Sequence, residues 1–271
     1  MGFNTKINNF EILIMEDNMK KKLVSILPDN IYLRLLRFAY KKHNPKIFDS
    51  LQTKRKIETN DGYSYKPFDD NKAIFVHIPK CAGVSVCKKL FGNLAGGHTS
   101  INEYLVIFEP KNIKNYYKFT FVRNPWDRLV SAYFFLKKGG FGEKDKAWFE
   151  KELSMFSSFE QFVTEWVNKE NIQKWHHFRP QTHYIIDRHE KVSLDFIGFL
   201  ENMDDDFQFI SNKLNIDAEI SIQNKSQHNN YMTYYTEKTK KIVEQVYEQD
   251  IKTLGYNFDN SSISEQVKNR A

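Results

Sequence analysis

The chain has 271 residues, 41% of them hydrophobic, which is ample for one α/β domain with appendages around its own core. Its 40 lysines and arginines exceed its 34 acidic residues for a net charge of +6, an excess that anionic substrates explain as readily as nucleic acid does. No zinc-finger spacing, no aromatic RNA-binding signature and no basic run longer than Lys20, Lys21 and Lys22 is present, so no nucleic-acid partner is expected.

Neither a signal peptide nor a span is expected from the N-terminal residues. The apolar patch from Phe10 to Met15 is six residues long and broken by Glu11, against the roughly 20 residues a bilayer requires. Residues 19–45 read as two short amphipathic basic helices meeting at Pro28. A helical pair packed on the domain is the expectation, with peripheral membrane or partner contact as the other reading. Residues 50–72 are polar and turn-rich and read as a linker. The expected organisation is therefore an N-terminal helical extension and linker over 1–70, then one domain over 71–271.

Two strand–turn–helix units follow. Ala73 to Val76 is a short apolar run suited to a strand buried on both faces, which Pro79 stops. Gly83 allows close backbone approach, and Val84, Cys87, Leu90 and Phe91 then recur at helical spacing. The amides of that helix start favour an anion, Lys80 adds a cation and Ser85 a hydroxyl. The run is no Walker A loop, since Lys80 precedes the glycine. In the second unit Phe119 to Val122 is the strand, Asn124 the N-cap and Pro125 the first helical residue. Arg123 immediately before the helix and Ser131 two turns into it suit one phosphate, Arg123 by its planar fork. Arg128 reads as a second cation or as a structural partner of Asp127 or a nearby carboxylate. Two such units make a site for a ligand with two separated phosphate groups.

HIPKCAG and FVRNPWDRLVSAY, about 40 residues apart, together resemble the paired signature of the carbohydrate sulfotransferases of the Golgi type and their bacterial relatives. FIGFLENMDDDF and the segment 224–258 resemble that family's closing stretches, so the likeness spans 73–258. It implies an α/β fold with a P-loop-like parallel sheet flanked by helices, carrying a helical N-terminal extension. It implies 3'-phosphoadenosine 5'-phosphosulfate (PAPS) as donor, no metal, and a carbohydrate acceptor. By position, Lys80 would touch the leaving oxygen, Cys81, Ala82, Gly83, Val84 and Ser85 would wrap the 5'-phosphosulfate, and Arg123 and Ser131 would hold the 3'-phosphate. Lys225 and Ser226, in a polar loop ahead of Tyr231, Tyr234 and Tyr235, would close over the nucleotide and exclude water. Cys81 and Ala82 stand where the family more often has Thr and Gly.

A base must take the acceptor's proton. His98, just beyond Gly96 and Gly97, is the candidate, because a neutral imidazole suits the task and the family's catalytic histidine follows the corresponding helix. The rivals His176, His177 and His183 lack metal-site spacing. Their segment resembles the family's His-x-x-Pro-Gln stretch, which would place His177, Arg179 and Gln181 along the acceptor channel; a packed loop is the other reading. Glu201 and Asn202 read as a supporting pair or as a helix cap. Thr236 is expected to cap one long helix that Gly255 ends.

Two cysteines six residues apart are not a disulfide framework, and with no anchor legible the expectation is a cytoplasmic enzyme of the bacterial type, or a Golgi-lumen one had an anchor been removed. Two other readings stay open: a P-loop-type kinase acting on a small molecule or sugar, and a non-catalytic glycan-binding protein on the same fold.

Overall fold

The computed structural model describes residues 27–220 and 230–269. In chain order the helices are α1 (Asp29–His43), α2 (Pro45–Lys54), α3 (Lys66–Asn71), α4 (Gly83–Phe91), α5 (Ile101–Ile107), α6 (Pro110–Asn115), α7 (Pro125–Lys137), α8 (Glu143–Glu152), α9 (Phe159–Glu165), α10 (Thr182–Ile185), α11 (Met203–Leu214), α12 (Glu237–Val246), α13 (Glu248–Leu254) and α14 (Ile263–Asn269). Strands β1 (Ala73–Val76), β2 (Tyr117–Val122) and β3 (Phe196–Phe199) form a parallel sheet in the order β1-β2-β3, flanked by helices. The register is set where β2 begins: Tyr117 N donates to Lys72 O at 2.9 Å, and Lys118 O accepts from Asp195 N at 2.7 Å. All four residues of β1 are buried, the pattern of a strand covered on both faces.

The chain divides into two compact units, each discontinuous in sequence. One gathers the described residues up to His77 with Phe91–Phe119 and Tyr184–Asp195. Its core is aromatic. Phe68, fully buried, packs edge-on against Phe91 at 5.2 Å and Tyr104 at 5.8 Å, and Tyr65 meets Tyr104 at 6.1 Å. The stretch expected as a linker therefore belongs to this unit. α2 runs on to Lys54, and Arg55 then donates to Asp69 at 2.8 Å and to Glu109 at 2.7 Å. Arg55 and Asp69, within the stretch that reads as a linker, are here partners with Glu109 in a half-buried ion network. Of the expected basic helix pair, the part before residue 27 lies outside the described residues; after Pro28 a helix begins at once, as α1.

The other unit gathers Ile78–Leu90, Thr120–His183 and the described residues from Phe196 onward. Its core is built on the inner face of α7, where Tyr133 stacks on Phe162 at 4.8 Å, with Phe162, Val163, Phe178 and Tyr247 among the buried residues. Gly198 in β3 faces Phe121 of β2 so closely that an added Cβ would lie 2.6 Å from the ring, so any side chain there would have to displace Phe121. The expected long C-terminal helix is two helices. Thr236 caps α12 by accepting from Thr239 N, but Tyr247 leaves the helical range at φ −105° and ψ 24° before α13 resumes, and Gly255 closes the pair at φ 69°. The Tyr247 hydroxyl donates to Phe178 O at 2.7 Å, a tertiary bond worth having at the break. Among the described residues no helix is long and apolar enough to cross a membrane.

Candidate active site

After β1, Pro79 ends the strand and the chain makes a turn in which two non-glycine residues take left-handed backbone: Lys80 at φ 70° and Ala82 at φ 59°. Such a conformation costs a Cβ-bearing residue about 1–2 kcal/mol, so it persists only where the surroundings enforce it. Three side chains do so at three successive residues. Arg128 Nη1 donates to Pro79 O at 3.4 Å, Arg123 Nη1 to Lys80 O at 3.2 Å, and Cys81 Sγ to Gln181 Oε1 at 3.3 Å. α4 then starts at Gly83, and the first-turn amides of a helix have no carbonyl partner within it. Ser85, half-buried, lies in this first turn.

Lys80 carries its ammonium 3.6 Å from the centre of the Phe135 ring. Burial pushes its pKa down to about 7, and the nearby charge of Arg123 pushes the same way. A lysine so placed is under-solvated, and an anion would restore what water has ceased to supply.

The second turn is made differently. Asn124 caps α7, its Oδ1 accepting from Trp126 N at 3.0 Å, while its Nδ2 donates to Asn257 O at 2.9 Å and Asn260 Oδ1 at 2.7 Å. Its own amide donates to Glu201 Oε1 at 2.7 Å, and Tyr256 Oη donates to Glu201 Oε2 at 2.9 Å. Arg123 is gripped by Gln181 through both main-chain groups: Arg123 N donates to Gln181 Oε1 at 2.9 Å and Gln181 Nε2 donates to Arg123 O at 2.8 Å. Gln181 is in turn fixed by Asp250, whose carboxylate accepts from Gln181 N at 2.7 Å and from the amide and hydroxyl of Thr182 at 2.9 and 2.7 Å. Gln181, Thr182 and Asp250 are all fully buried. This chain of bonds holds Cys81 of the first turn and Arg123 of the second on one amide side chain. Ser131, buried two turns along α7, and the buried Arg123 belong to the same unit.

Several sequence expectations change in the light of this geometry. Asp127 accepts from Arg123 Nε at 2.8 Å. Arg128, 2% exposed, instead donates to the carbonyls of Pro79, His177 and Arg179. Cys81 can enter a phosphate cradle by its backbone alone, since burial pushes its thiol up to about 12. Gln181 and His177, fully enclosed and 2% exposed, are too buried to meet a sugar. His177 sits with Nε2 3.6 Å from Asp145 Oδ1 and its ring against Phe135 at 5.0 Å. Arg179 turns back to donate to Gln173 O at 3.2 Å. Gln181 and His177 thus follow the packed-loop reading, while Arg179 stays half-buried. Of the tyrosines expected as a nucleotide cap, Tyr231 is buried and donates to Phe258 O, while Tyr235 and Tyr234 are half-buried against the core, Tyr235 donating to Trp126 O at 2.9 Å and Tyr234 lying on Phe134 at 5.0 Å. Lys225 and Ser226 lie outside the described residues. Asn202 makes no capping bond to the backbone; its Nδ2 donates to Asp206 Oδ1 at 2.7 Å.

His98 belongs to the other unit. Gly96 and Gly97 precede it at φ 76° and 58°, and its Nδ1 lies 3.1 Å from His77 O, with the two imidazoles 4.4 Å apart. A carbonyl can only accept, so Nδ1 carries the proton and Nε2 the lone pair. Burial holds two rival imidazoles neutral, with pKa values pushed down to about 3 at His176, helped by His177, and about 4 at His183, helped by Arg179.

A lysine-bearing and an arginine-bearing turn each close a strand of one parallel sheet and each open a helix in this α/β protein, an arrangement whose amides and cations have the chemistry to take an anion. The family model of the sulfotransferase family matches residues 64–257, and the chain belongs to that family. An uncharacterized protein of Archaeoglobus fulgidus is 28% identical over 123 residues, which cover 45% of this chain and 87% of that protein. No solved structure matches.

Proposed function

We propose that the protein transfers a sulfuryl group from PAPS to a hydroxyl of a carbohydrate. The observation that carries this reading is the pair of turns, one presenting Lys80 with the α4 amides and the other Arg123 with Ser131, within a chain of the sulfotransferase family. The donor set fits a ligand with separated phosphate groups. Lys80, half-buried and short of counter-charge, suits the more reactive anion, and a buried arginine with a serine suits a second, static phosphate.

When bound, PAPS supplies the sulfuryl group and a phosphate that leaves with its charge. Sulfur exchanges one S–O bond for another: the bond to the acceptor oxygen forms as the bond to the 5'-phosphate oxygen breaks, and the acceptor's proton passes to a base. The positive charge of Lys80 stabilises the departing oxygen. The amides of Gly83 and Val84 and the Ser85 hydroxyl hold the 5' group, and Arg123 and Ser131 hold the 3'-phosphate. His98 accepts the proton on Nε2, the nitrogen left with a lone pair by the bond from Nδ1 to His77.

The test is transfer of ³⁵S from labelled PAPS to a panel of glycans by the wild-type chain and by His98→Ala. Label on a glycan, lost in the variant with PAPS still bound, supports the reading. Binding of the bisphosphate product with no transfer to any glycan contradicts it and leaves a binding protein.

A further inference from the structure

We propose that α1 lies on a bilayer of anionic lipid, its exposed apolar row in the headgroup layer and its cations against lipid phosphates, a role separate from the transfer reaction. α1 packs in the first unit by burying Tyr32, Leu36 and Tyr40. Away from them Ile31, Leu35 and Phe38 are 44%, 53% and 67% exposed. Spaced by four and then three residues, they form one row along the helix. No other described helix exposes more than one large apolar side chain to this degree. A contiguous apolar row held in water marks a surface that an apolar medium covers.

The charges around the row identify that medium. Lys42 extends the row by one more turn, and Arg34 and Lys41 stand along its edge, all three exposed. Among the described residues none of the three meets a carboxylate. α1 carries one acidic residue, Asp29, and it is engaged elsewhere: Arg188 Nε donates to Asp29 Oδ1 at 3.0 Å, and His189 Nε2 lies 3.0 Å from the same oxygen. Arg188 also donates to Leu27 O at 2.8 Å and lies 4.1 Å from the centre of the Tyr32 ring, so the start of the helix is pinned with its apolar row outward. An apolar row edged by cations matches the acyl chains and phosphates of an anionic bilayer. The long stems of Lys41, Lys42 and Arg34 let their charges reach the headgroups while the row sinks below them. A second copy of the chain fits the face poorly, because two α1 helices face to face would bring three cations from each copy together with no carboxylate between them.

At 15 residues α1 falls short of the roughly 20 that a span requires, so the contact lies in the plane of the interface. Asp29–His43 also precedes residue 64, where the family match begins, so the surface contact is carried outside the matched segment.

The experiment is co-sedimentation of the full chain, at low salt, with vesicles of phosphatidylcholine alone and of phosphatidylcholine with about one-third phosphatidylglycerol. The wild type is expected to bind the anionic vesicles at least about tenfold more tightly than the neutral ones. Leu35→Ser with Phe38→Ser should weaken that binding about tenfold at unchanged charge. Arg34→Gln, Lys41→Gln and Lys42→Gln together should remove the preference for anionic lipid. Lys144→Gln, Lys146→Gln and Lys151→Gln together take the same charge from α8 and should leave binding as in the wild type. All of these side chains are exposed, so an unchanged Tm shows that each variant is folded. Equal binding of the two vesicles by the wild type, full binding by the Leu35 and Phe38 variant, or an equal loss in the α8 variant would overturn the inference, the last by reducing the binding to net charge. Self-association of the wild type in analytical ultracentrifugation, lost in the Leu35 and Phe38 variant and accompanied by no vesicle binding, would overturn it in favour of a second copy.

Discussion

The two strand-to-helix turns do similar work by opposite means. The turn at Arg123 is shaped by its own sequence and then clamped: Asn124 caps α7 and Pro125 pre-sets its first residue, after which the amide of Gln181 closes on both main-chain groups of Arg123. The turn at Lys80 is strained, with two Cβ-bearing residues in left-handed backbone. It is held from outside by Arg128, Arg123 and Gln181, each of which also serves the second turn or its helix. A rigid turn suits a phosphate that stays bound throughout, and an imposed one keeps a lysine under-solvated where charge must develop.

The largest effect should come from removing that lysine. Lys80→Ala is expected to lower kcat about 10²–10³-fold, as loss of one group facing a developing charge does elsewhere, with Tm nearly unchanged. A kcat within a few-fold of wild type in single-turnover assays would assign the leaving-group role to another residue. Next is the external brace. Arg128→Ala strips three carbonyls of a buried donor and should cost about 3 kcal/mol or more in urea unfolding; a cost under about 1 kcal/mol would mean that the first turn holds itself.

The ionisation of Lys80 sharpens the same contrast. Its pKa in the free protein is pushed down to about 7, so the charged form prevails below pH 7 and is lost above it. The pH profile of kcat/KM should fall as pH rises through about 7, and Lys80→Arg, which cannot lose its proton, should move that limb upward. For stability the sign is the one a carboxylate with a depressed pKa shows, in a higher pH window. The unfolded lysine binds its proton up to about 10.4, so folding is favoured as pH rises from about 7 toward that value. The smallest effect is Ala82→Gly. It relieves a left-handed alanine but frees the unfolded chain, for a net gain of up to about 1 kcal/mol. The same change at Ala95, where no left-handed backbone is recorded, should only destabilise.

What was legible in the sequence was local. β1, the start of α4 at Gly83, the Asn124 cap with Pro125, and the Thr236 cap each depend on a few neighbouring residues, and each stands where the pattern placed it. The bonds that join the turns were not legible, because Gln181 lies 58 residues from Arg123 and 100 from Cys81, and Asp250 a further 69 beyond Gln181. An isolated Gln or Asp carries no mark of such a partner. The composition that made Tyr231, Tyr234 and Tyr235 look like a nucleotide cap equally suits the margin of a core, and Phe134, Phe159 and Phe258 are the ring partners they meet there. Residues 50–72 misled for the converse reason, since Arg55 and Asp69 are polar yet half-buried as a pair.

The central claim is that the two turns hold a nucleotide with separate 5' and 3' phosphate groups, and thermal unfolding tests it most directly. PAP, AMP and ATP with magnesium are compared on the wild type and on Arg123→Ala. A ligand at about 100 times its Kd should stabilise the fold by roughly 2.7 kcal/mol, several degrees in Tm. The account predicts that PAP raises Tm, that AMP does not match it, and that Arg123→Ala removes the difference. A rise with ATP and magnesium alone would contradict it in favour of a kinase.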